Sequence, residues 1–354
     1  MNKKFLISTG GSGGHVIPAT ILYDHLSKKS EVIISTDKRG YKYLDKNLYN
    51  IEIVDTPKLA NIFLLPLNLI IILFLTFKSF FLLKKKNIDY LFSTGGYMSL
   101  PLILAAKILN LNIYLLEPNL VLGRANRMFL KSCKRIFCYT DQIKKFPNKY
   151  KSKLVIINPL IRKEYYSSEV KKISNNKFNL LIVGGSQGAK IFDNNLKDLI
   201  VDLSKEFSIR IIQQTNQKNI SKLMDFYNKN NIENLIFSYD NNFIDIVSEV
   251  DLCITRAGAT TLAEFSILNK PFIAIPLPSS KDNHQLENAN YYLNKNCCWL
   301  IEQSVFEKKI DHLLREIFKN KSDLLEKKEN LKKLNYQNTW INVNQKILDT
   351  INEN

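Results

Sequence analysis

Short apolar runs alternate with amphipathic stretches along the whole chain. In the first half, FLIST (5–9), VIIST (32–36), YLFST (90–94), NIYLLE (112–117) and RIFCYT (135–140) are rich in β-branched and apolar residues and show no polar alternation. That is the pattern of parallel strands covered on both faces. Helical patterns lie between them, from about Pro18 to Lys28, near 99–109 and over 122–132. The second half repeats the scheme. NLLIV (179–183), RIIQQT (210–215), NLIFS (234–238), DLCIT (251–255) and PFIAIP (271–276) alternate with helical patterns near 189–206, 217–230 and 259–268. Alternating strands and helices with short connections predict an α/β protein with two doubly wound sheets. With 354 residues the chain can bury two separate cores. The junction falls near Asn158-Pro159, and the tail from Leu331 to Asn354 reads as helical, with residues from about Trp340 packing back.

Four of the apolar runs end in glycine turns: Gly10-Gly11-Ser12-Gly13-Gly14-His15, Thr94-Gly95-Gly96-Tyr97, Gly184-Gly185-Ser186-Gln187-Gly188 and Arg256-Ala257-Gly258-Ala259. A glycine turn between a strand and a helix lets backbone N–H groups and the positive helix end approach a phosphate. Right-handed crossovers put all such turns on the carboxyl edges of their sheets. The first loop lacks the third glycine of the dinucleotide fingerprint, having Val16 there, and no turn carries the GK[ST] of a P-loop. The loops 10–14 and 184–188 both spell GxSxG. A hydrolase needs one nucleophile with its own Asp and His, so a copy in each half reads better as two anion cradles.

Charge is divided unevenly. The first 160 residues carry 24 Lys and Arg against 9 Asp and Glu; the rest carry 26 against 24. A basic half suits nucleic acid, anionic lipid or phosphorylated substrates. No nucleic-acid reading module accompanies it, and no basic stretch is interleaved with aromatics. The five cysteines form no CxxC pair, and with the four histidines they offer no zinc spacing. An odd number of cysteines fits a reducing compartment, and Phe5-Leu6-Ile7 is too short for a signal-peptide core.

Residues 62–77, IFLLPLNLIIILFLTF, have only Asn68 and Thr76 as polar side chains, and Lys84-Lys85-Lys86 follow shortly after. The run falls short of the roughly 20 residues of a spanning helix and contains Pro66. A span would also put the strands at 4–8 and 90–94, expected in one sheet, on opposite sides of a bilayer. Two readings stand, a buried core helix or an apolar surface lying in the membrane plane with basic residues beside it, and a segment part buried and part membrane-facing combines them.

His15 closes the first loop at the start of a helix, where it is the first candidate for a general base; Glu117, in Glu117-Pro118-Asn119 at a strand end, is the second. No Asp-x-Asp pair accompanies the glycine turns, so a metal-held diphosphate is not indicated. The blocks GGSGGHVIPA, TGGYMSLP, EPN, GGSQGA, TRAGATTLAE and PLPSSKDNHQLENA, in this order from residue 10 to 289, resemble the MurG family. The resemblance implies an inverting, metal-independent GT-B glycosyltransferase without cofactor, whose two Rossmann-like domains face a cleft. It implies transfer of N-acetylglucosamine from UDP-GlcNAc to the C4 hydroxyl of the muramyl sugar of lipid I, giving lipid II. It further implies a first domain (1–161, plus the helix from about 340) for acceptor and membrane, and a second (162–339) for the donor.

By the same resemblance the donor meets Ser186 at its diphosphate, Glu264 at the ribose, and Ala259, Thr260, Thr261 and Leu262 along the nucleotide. Gln285 and Asn288 lie near the sugar, Asp240 near uracil, and Arg162 contacts the donor as well. Ser12, Gly13, Gly14 and Asn119 reach it from the first domain, while Gly13, Gly14, Gly95, Gly96 and Tyr97 take the acceptor diphosphate. Implied partners are UDP-GlcNAc, lipid I, anionic inner-leaflet lipids and other cell-wall proteins, with no nucleic acid, at the cytoplasmic face of the bacterial plasma membrane. Several positions depart from the family pattern: Ser12 for threonine, Pro118 for glutamine, Leu100 for glycine, Asp240 for an apolar residue, and NPLIR around Arg162 longer by one. The same fold with a different glycosyl acceptor, such as a diacylglycerol or a sterol, a UDP-sugar epimerase and an inactive lipid-binding scaffold are the alternatives.

Overall fold

A computed structural model describes residues 3–57, 63–167, 176–185, 190–238, 240 and 242–353. The chain forms two compact units, Met1–Ile161 with Thr339–Asn354, and Arg162–Asn338. In unit 1 the strands are β1 (Lys4–Ser8), β2 (Glu31–Thr36), β3 (Ile51–Ile53), β4 (Tyr90–Ser93), β5 (Asn112–Glu117), β6 (Arg135–Cys138) and β7 (Leu154–Ile156). They form one sheet in the order β3-β2-β1-β4-β5-β6-β7, with every pairing parallel. Unit 2 has β8 (Phe178–Val183), β9 (Ile209–Gln214), β10 (Glu233–Phe237), β11 (Leu252–Thr255), β12 (Phe272–Ala274) and β13 (Cys298–Leu300), ordered β10-β9-β8-β11-β12-β13 and again all parallel. In both sheets the order reverses beside the first strand, between β1 and β4 and between β8 and β11. Loops diverge at such a switch point and open a crevice for ligand.

The uniformly apolar runs are central strands: β1, β4, β5, β8 and β11 are buried almost throughout. The short edge strands β3, β7 and β13 lie outside the strand patterns read from the sequence, because three residues with partly exposed faces carry little apolar signal. Helix α1 spans Gly13–Leu26 and so begins five residues before the expected start, with Pro18 inside it, and the short α2 spans Lys38–Tyr41. The helical pattern near 189–206 is two helices, Lys190–Asn195 and Lys197–Ser204, and the tail breaks between Leu334 and Trp340. The last helix, Trp340–Asn352, belongs to unit 1. Trp340 stacks on the His25 ring at 3.7 Å, and Asn344 Nδ2 donates to His25 Nδ1 (3.1 Å) and to the His25 carbonyl (2.9 Å). Burial, helped by Lys28, pushes the His25 pKa down to about 3, so this joint is built on a neutral imidazole.

Helix α3 (Leu65–Lys85) differs from the sequence expectation in length. It is a single 21-residue helix, long and apolar enough to cross a membrane, with Pro66 in the first turn where a missing N–H does no harm. The sheet still argues against a span: Phe5 of β1 pairs with Tyr90 of β4 and Ile34 of β2 with Ile51 of β3, so strands before and after α3 share one sheet. Nor is α3 a core helix, since only 22% of its most apolar window is buried. Its inward stripe is Asn68, Ile72, Thr76, Ser79 and Leu83, packed toward α4 (Leu100–Ile108). Leu67, Ile70, Leu73, Phe74, Phe77 and Phe81 face outward. The usual polarity of a surface helix is thus inverted.

Candidate functional site

Each unit carries a cluster of sequence-selected residues on the carboxyl edge of its own sheet. In unit 1 the first loop leaves β1 through Gly10 and Gly11, with φ of 146° and 79°, a region glycine tolerates and other residues avoid. Ser12 takes the N-cap position of α1 with extended backbone, but its hydroxyl makes no capping bond. The first amides of the helix, Gly13 and Gly14, have no intrahelical acceptor and lie at its positive end. The second turn leaves the neighbouring strand β4 with Gly95 and Gly96 at φ of 85° and 82°. Thr94 Oγ1 donates to Thr9 Oγ1 (2.8 Å), joining the roots of the two turns.

His15 links the same two segments. Its Nδ1 lies 2.7 Å from the Thr94 carbonyl oxygen. A carbonyl only accepts, so Nδ1 carries the proton, and in the neutral imidazole Nε2 is the basic nitrogen. Nε2 would stand 3.6 Å from a Cβ built on Gly96, which places it at the second turn. A fixed tautomer with the basic nitrogen over a glycine turn is the arrangement a proton acceptor needs.

Glu117 behaves differently. Its carboxylate is buried and accepts four hydrogen bonds: Oε1 from the Asn119 amide and side chain (both 3.2 Å), Oε2 from the Gly123 amide (2.8 Å) and Asn126 Nδ2 (3.0 Å). Burial pushes its pKa up, and those four donors pull it back. The carboxylate ties down the 118–123 loop and holds Asn119 through both its amide and its side chain. Asn126 and Gly123 escaped the sequence reading because neither belongs to a motif.

In unit 2, Ala259–Ile267 is a helix directly after β11, and Ala259, Thr260, Thr261 and Leu262 form its first turn. Glu264 is buried in the next turn, where Arg162 Nε and Nη2 both donate to its Oε1 (3.1 and 2.9 Å). Burial raises the Glu264 pKa, with Arg162 opposing. Burial alone would lower that of Arg162, but Glu264 holds the guanidinium above its usual range. Because both bonds end on Oε1, Oε2 is not committed to the arginine. Gln285 Oε1 accepts the amides of Ala257 (3.2 Å) and Leu277 (2.9 Å), and Asn288 Nδ2 donates to the Ala257 carbonyl (3.1 Å). These two side chains clamp the turn that starts the helix. Arg256, whose role no spacing announced, ties the turn after β11 to the segment after β12 through the carbonyls of Ile275 and Pro276.

Asp240 follows the edge strand β10, two strands from β8, and accepts the Asn242 amide at 2.7 Å to close a turn. Ser186 lies outside the described residues. Among the described residues no group of three or more His, Cys, Asp or Glu gathers as a metal site, and the five cysteines are buried and unbridged.

Two all-parallel Rossmann-like sheets, each presenting glycine turns and helix N-termini at its carboxyl edge, define a glycosyltransferase of the GT-B class. The glycosyltransferase family 28 N-terminal domain matches residues 5–138, and the C-terminal domain of that family matches 179–339. A curated relative from Pelagibacter ubique, UDP-N-acetylglucosamine–N-acetylmuramyl-(pentapeptide) pyrophosphoryl-undecaprenol N-acetylglucosamine transferase, is 49% identical, with 100% of each chain covered. The protein of the same name from Rickettsia felis is 32% identical over 94% of this chain and 95% of its own. Among solved structures, Acinetobacter baumannii MurG shares the fold with a TM-score of 0.78 at 22% identity, covering 100% of both chains. The chain belongs to the MurG family of family 28 glycosyltransferases.

Proposed function

We propose that this protein transfers N-acetylglucosamine from UDP-GlcNAc to the C4 hydroxyl of the muramyl sugar in lipid I, with inversion. The observation that carries the chemistry is His15, held as the Nδ1–H tautomer by the Thr94 carbonyl beside both glycine turns of unit 1. Identity of 49% over the full chain with the Pelagibacter transferase supports the choice of substrates. In the reaction, Nε2 of His15 accepts the proton of the C4 hydroxyl as that oxygen attacks the anomeric carbon. The C1–O bond to the UDP diphosphate breaks on the opposite side. Amides at the start of the helix Ala259–Ile267 stabilise the departing diphosphate. Glu264 Oε2 takes the ribose hydroxyls, while Gln285 and Asn288 keep the turn before that helix in place. Glu117 acts as a positioning residue for Asn119 and not as the base, because its lone pairs already serve four donors.

The test is incorporation of radiolabelled N-acetylglucosamine from UDP-GlcNAc into a short-chain lipid I analogue by the purified chain, with EDTA present. Label in the lipid product is the expected result. Release of free sugar or epimerised nucleotide without lipid labelling would replace this reading with a hydrolase or an epimerase.

The outward face of α3 supports peripheral attachment to anionic membrane. Leu73 and Phe77 are 67% and 62% exposed, and Lys84 and Lys85 close the same helix. Burial of one such side chain is worth about 1.5–3 kcal/mol. The double variant Leu73→Glu/Phe77→Glu should therefore bind phosphatidylglycerol vesicles at least about 100-fold more weakly in sedimentation, while turning over a water-soluble acceptor normally. Unchanged vesicle binding would remove α3 from this role.

A further inference from the structure

We propose that Arg39 is an anion-binding residue of unit 1, held by Asp37 at the rim of both glycine turns to pair with the diphosphate of the acceptor. The inference rests on the acceptor reading given above and deepens it. Neither residue belongs to the family blocks found in the sequence. Asp37 directly follows β2, the strand beside β1, and its side chain is wholly buried. Oδ1 accepts the amides of Gly11 and Gly40, both at 2.8 Å, and Oδ2 pairs with the Arg39 guanidinium. The fit is close: a Cβ on Gly10 would stand 2.5 Å from Asp37 Oδ1. The carboxylate is thus a strut of the first glycine turn. The guanidinium it holds lies over the ring of Tyr97, 5.1 Å from the centroid, and Tyr97 directly follows the second turn. One ion pair therefore touches both turns.

The polarity of the pair points to the ligand. In doubly wound folds an acidic residue at the end of the second strand commonly accepts the ribose hydroxyls of a nucleotide. Here Asp37 is committed to two amides and a guanidinium, so this edge does not offer it to a hydroxyl. The negative end is buried and the positive end is 32% exposed. What the edge presents is donors: the start of α1 and a planar fork. That set recognises phosphate oxygens and not a ribose. Stacking on Tyr97 and pairing with Asp37 fix the fork in advance, so less side-chain freedom is lost on binding.

Steady-state kinetics of the full chain with UDP-GlcNAc and a short-chain lipid I analogue test this. Arg39→Ala should raise the acceptor KM about tenfold, the loss of one charge-assisted contact, with the UDP-GlcNAc KM unchanged. Inorganic pyrophosphate should inhibit the wild type competitively against the acceptor, and about tenfold more weakly in Arg39→Ala. Arg39→Lys should recover part of both effects, since it keeps the charge and loses the fork. Asp37→Asn should weaken pyrophosphate inhibition too, because the guanidinium loses its holder. An acceptor KM and pyrophosphate inhibition unchanged in Arg39→Ala would overturn the proposal. So would an equal rise in both substrates' KM for Arg39→Lys, which would make the pair merely structural. If the wild type itself failed to glycosylate the diphosphate-linked acceptor, the parent reading would fall instead.

Discussion

Replacing His15 by alanine is expected to lower kcat for transfer by about 10²–10⁴-fold, the usual contribution of a positioned general base, while the KM for UDP-GlcNAc stays nearly constant. The expectation follows from how the imidazole is held. Nδ1 donates to the Thr94 carbonyl at 2.7 Å, which settles the tautomer and directs Nε2 to the Gly96 turn. Alanine removes the base and also the tie between the start of α1 and Thr94 after β4, so a second variant is needed. In His15→Asn the side-chain amide can still donate to Thr94 but offers no basic nitrogen. If His15 is the base, Asn and Ala variants lose turnover alike. Near-normal kcat in His15→Asn would reduce His15 to a structural tie.

The second large effect is expected at Glu264. Glu264→Ala should raise the KM for UDP-GlcNAc about 100-fold or more, since hydrogen bonds to a charged group contribute about 1.5–3 kcal/mol each and a ribose presents two hydroxyls. Glu264→Gln keeps the shape and an acceptor oxygen for Arg162, and should lose less. The alanine variant also strands the guanidinium. Arg162 is 31% exposed and can rehydrate, so the stability cost falls well below that of a fully buried orphan charge. Isothermal titration with UDP separates the two losses: weak binding by a protein with an unchanged thermal transition locates the effect at the ribose. UDP affinity equal to wild type would remove Glu264 from the donor site. Acceptor KM serves as the internal control and should not move.

Much of this site was legible in the chain because its parts are local. A strand, a glycine turn and a helix start occupy consecutive residues, so Gly10–His15, Gly95–Tyr97 and Ala259–Leu262 could be located by pattern alone. The side chains that hold these turns could not. Asp37 reaches Gly11 across 26 residues, and Arg162 reaches Glu264 across 102. Glu117 was legible as a carboxylate at the right edge but not as a saturated one, since its partners Gly123 and Asn126 are set by how the following loop folds back. Helix α3 misled on length because the apolar run ends before the helix does: Lys78, Lys84 and Lys85 continue it without changing its hydrogen bonding.

The sequence by itself determined the two parallel sheets, the turns at their carboxyl edges, the basic first half and the family, because each is written in neighbouring residues or in ordered blocks. Tertiary structure alone decided which polar groups are used up and which remain for a ligand. It made Glu117 and Asp37 internal struts and turned the apolar side of α3 outward. It also fixed the His15 tautomer through Thr94. A hydrogen bond between distant residues depends on how strands order themselves in a sheet, and no local pattern of residues encodes that order.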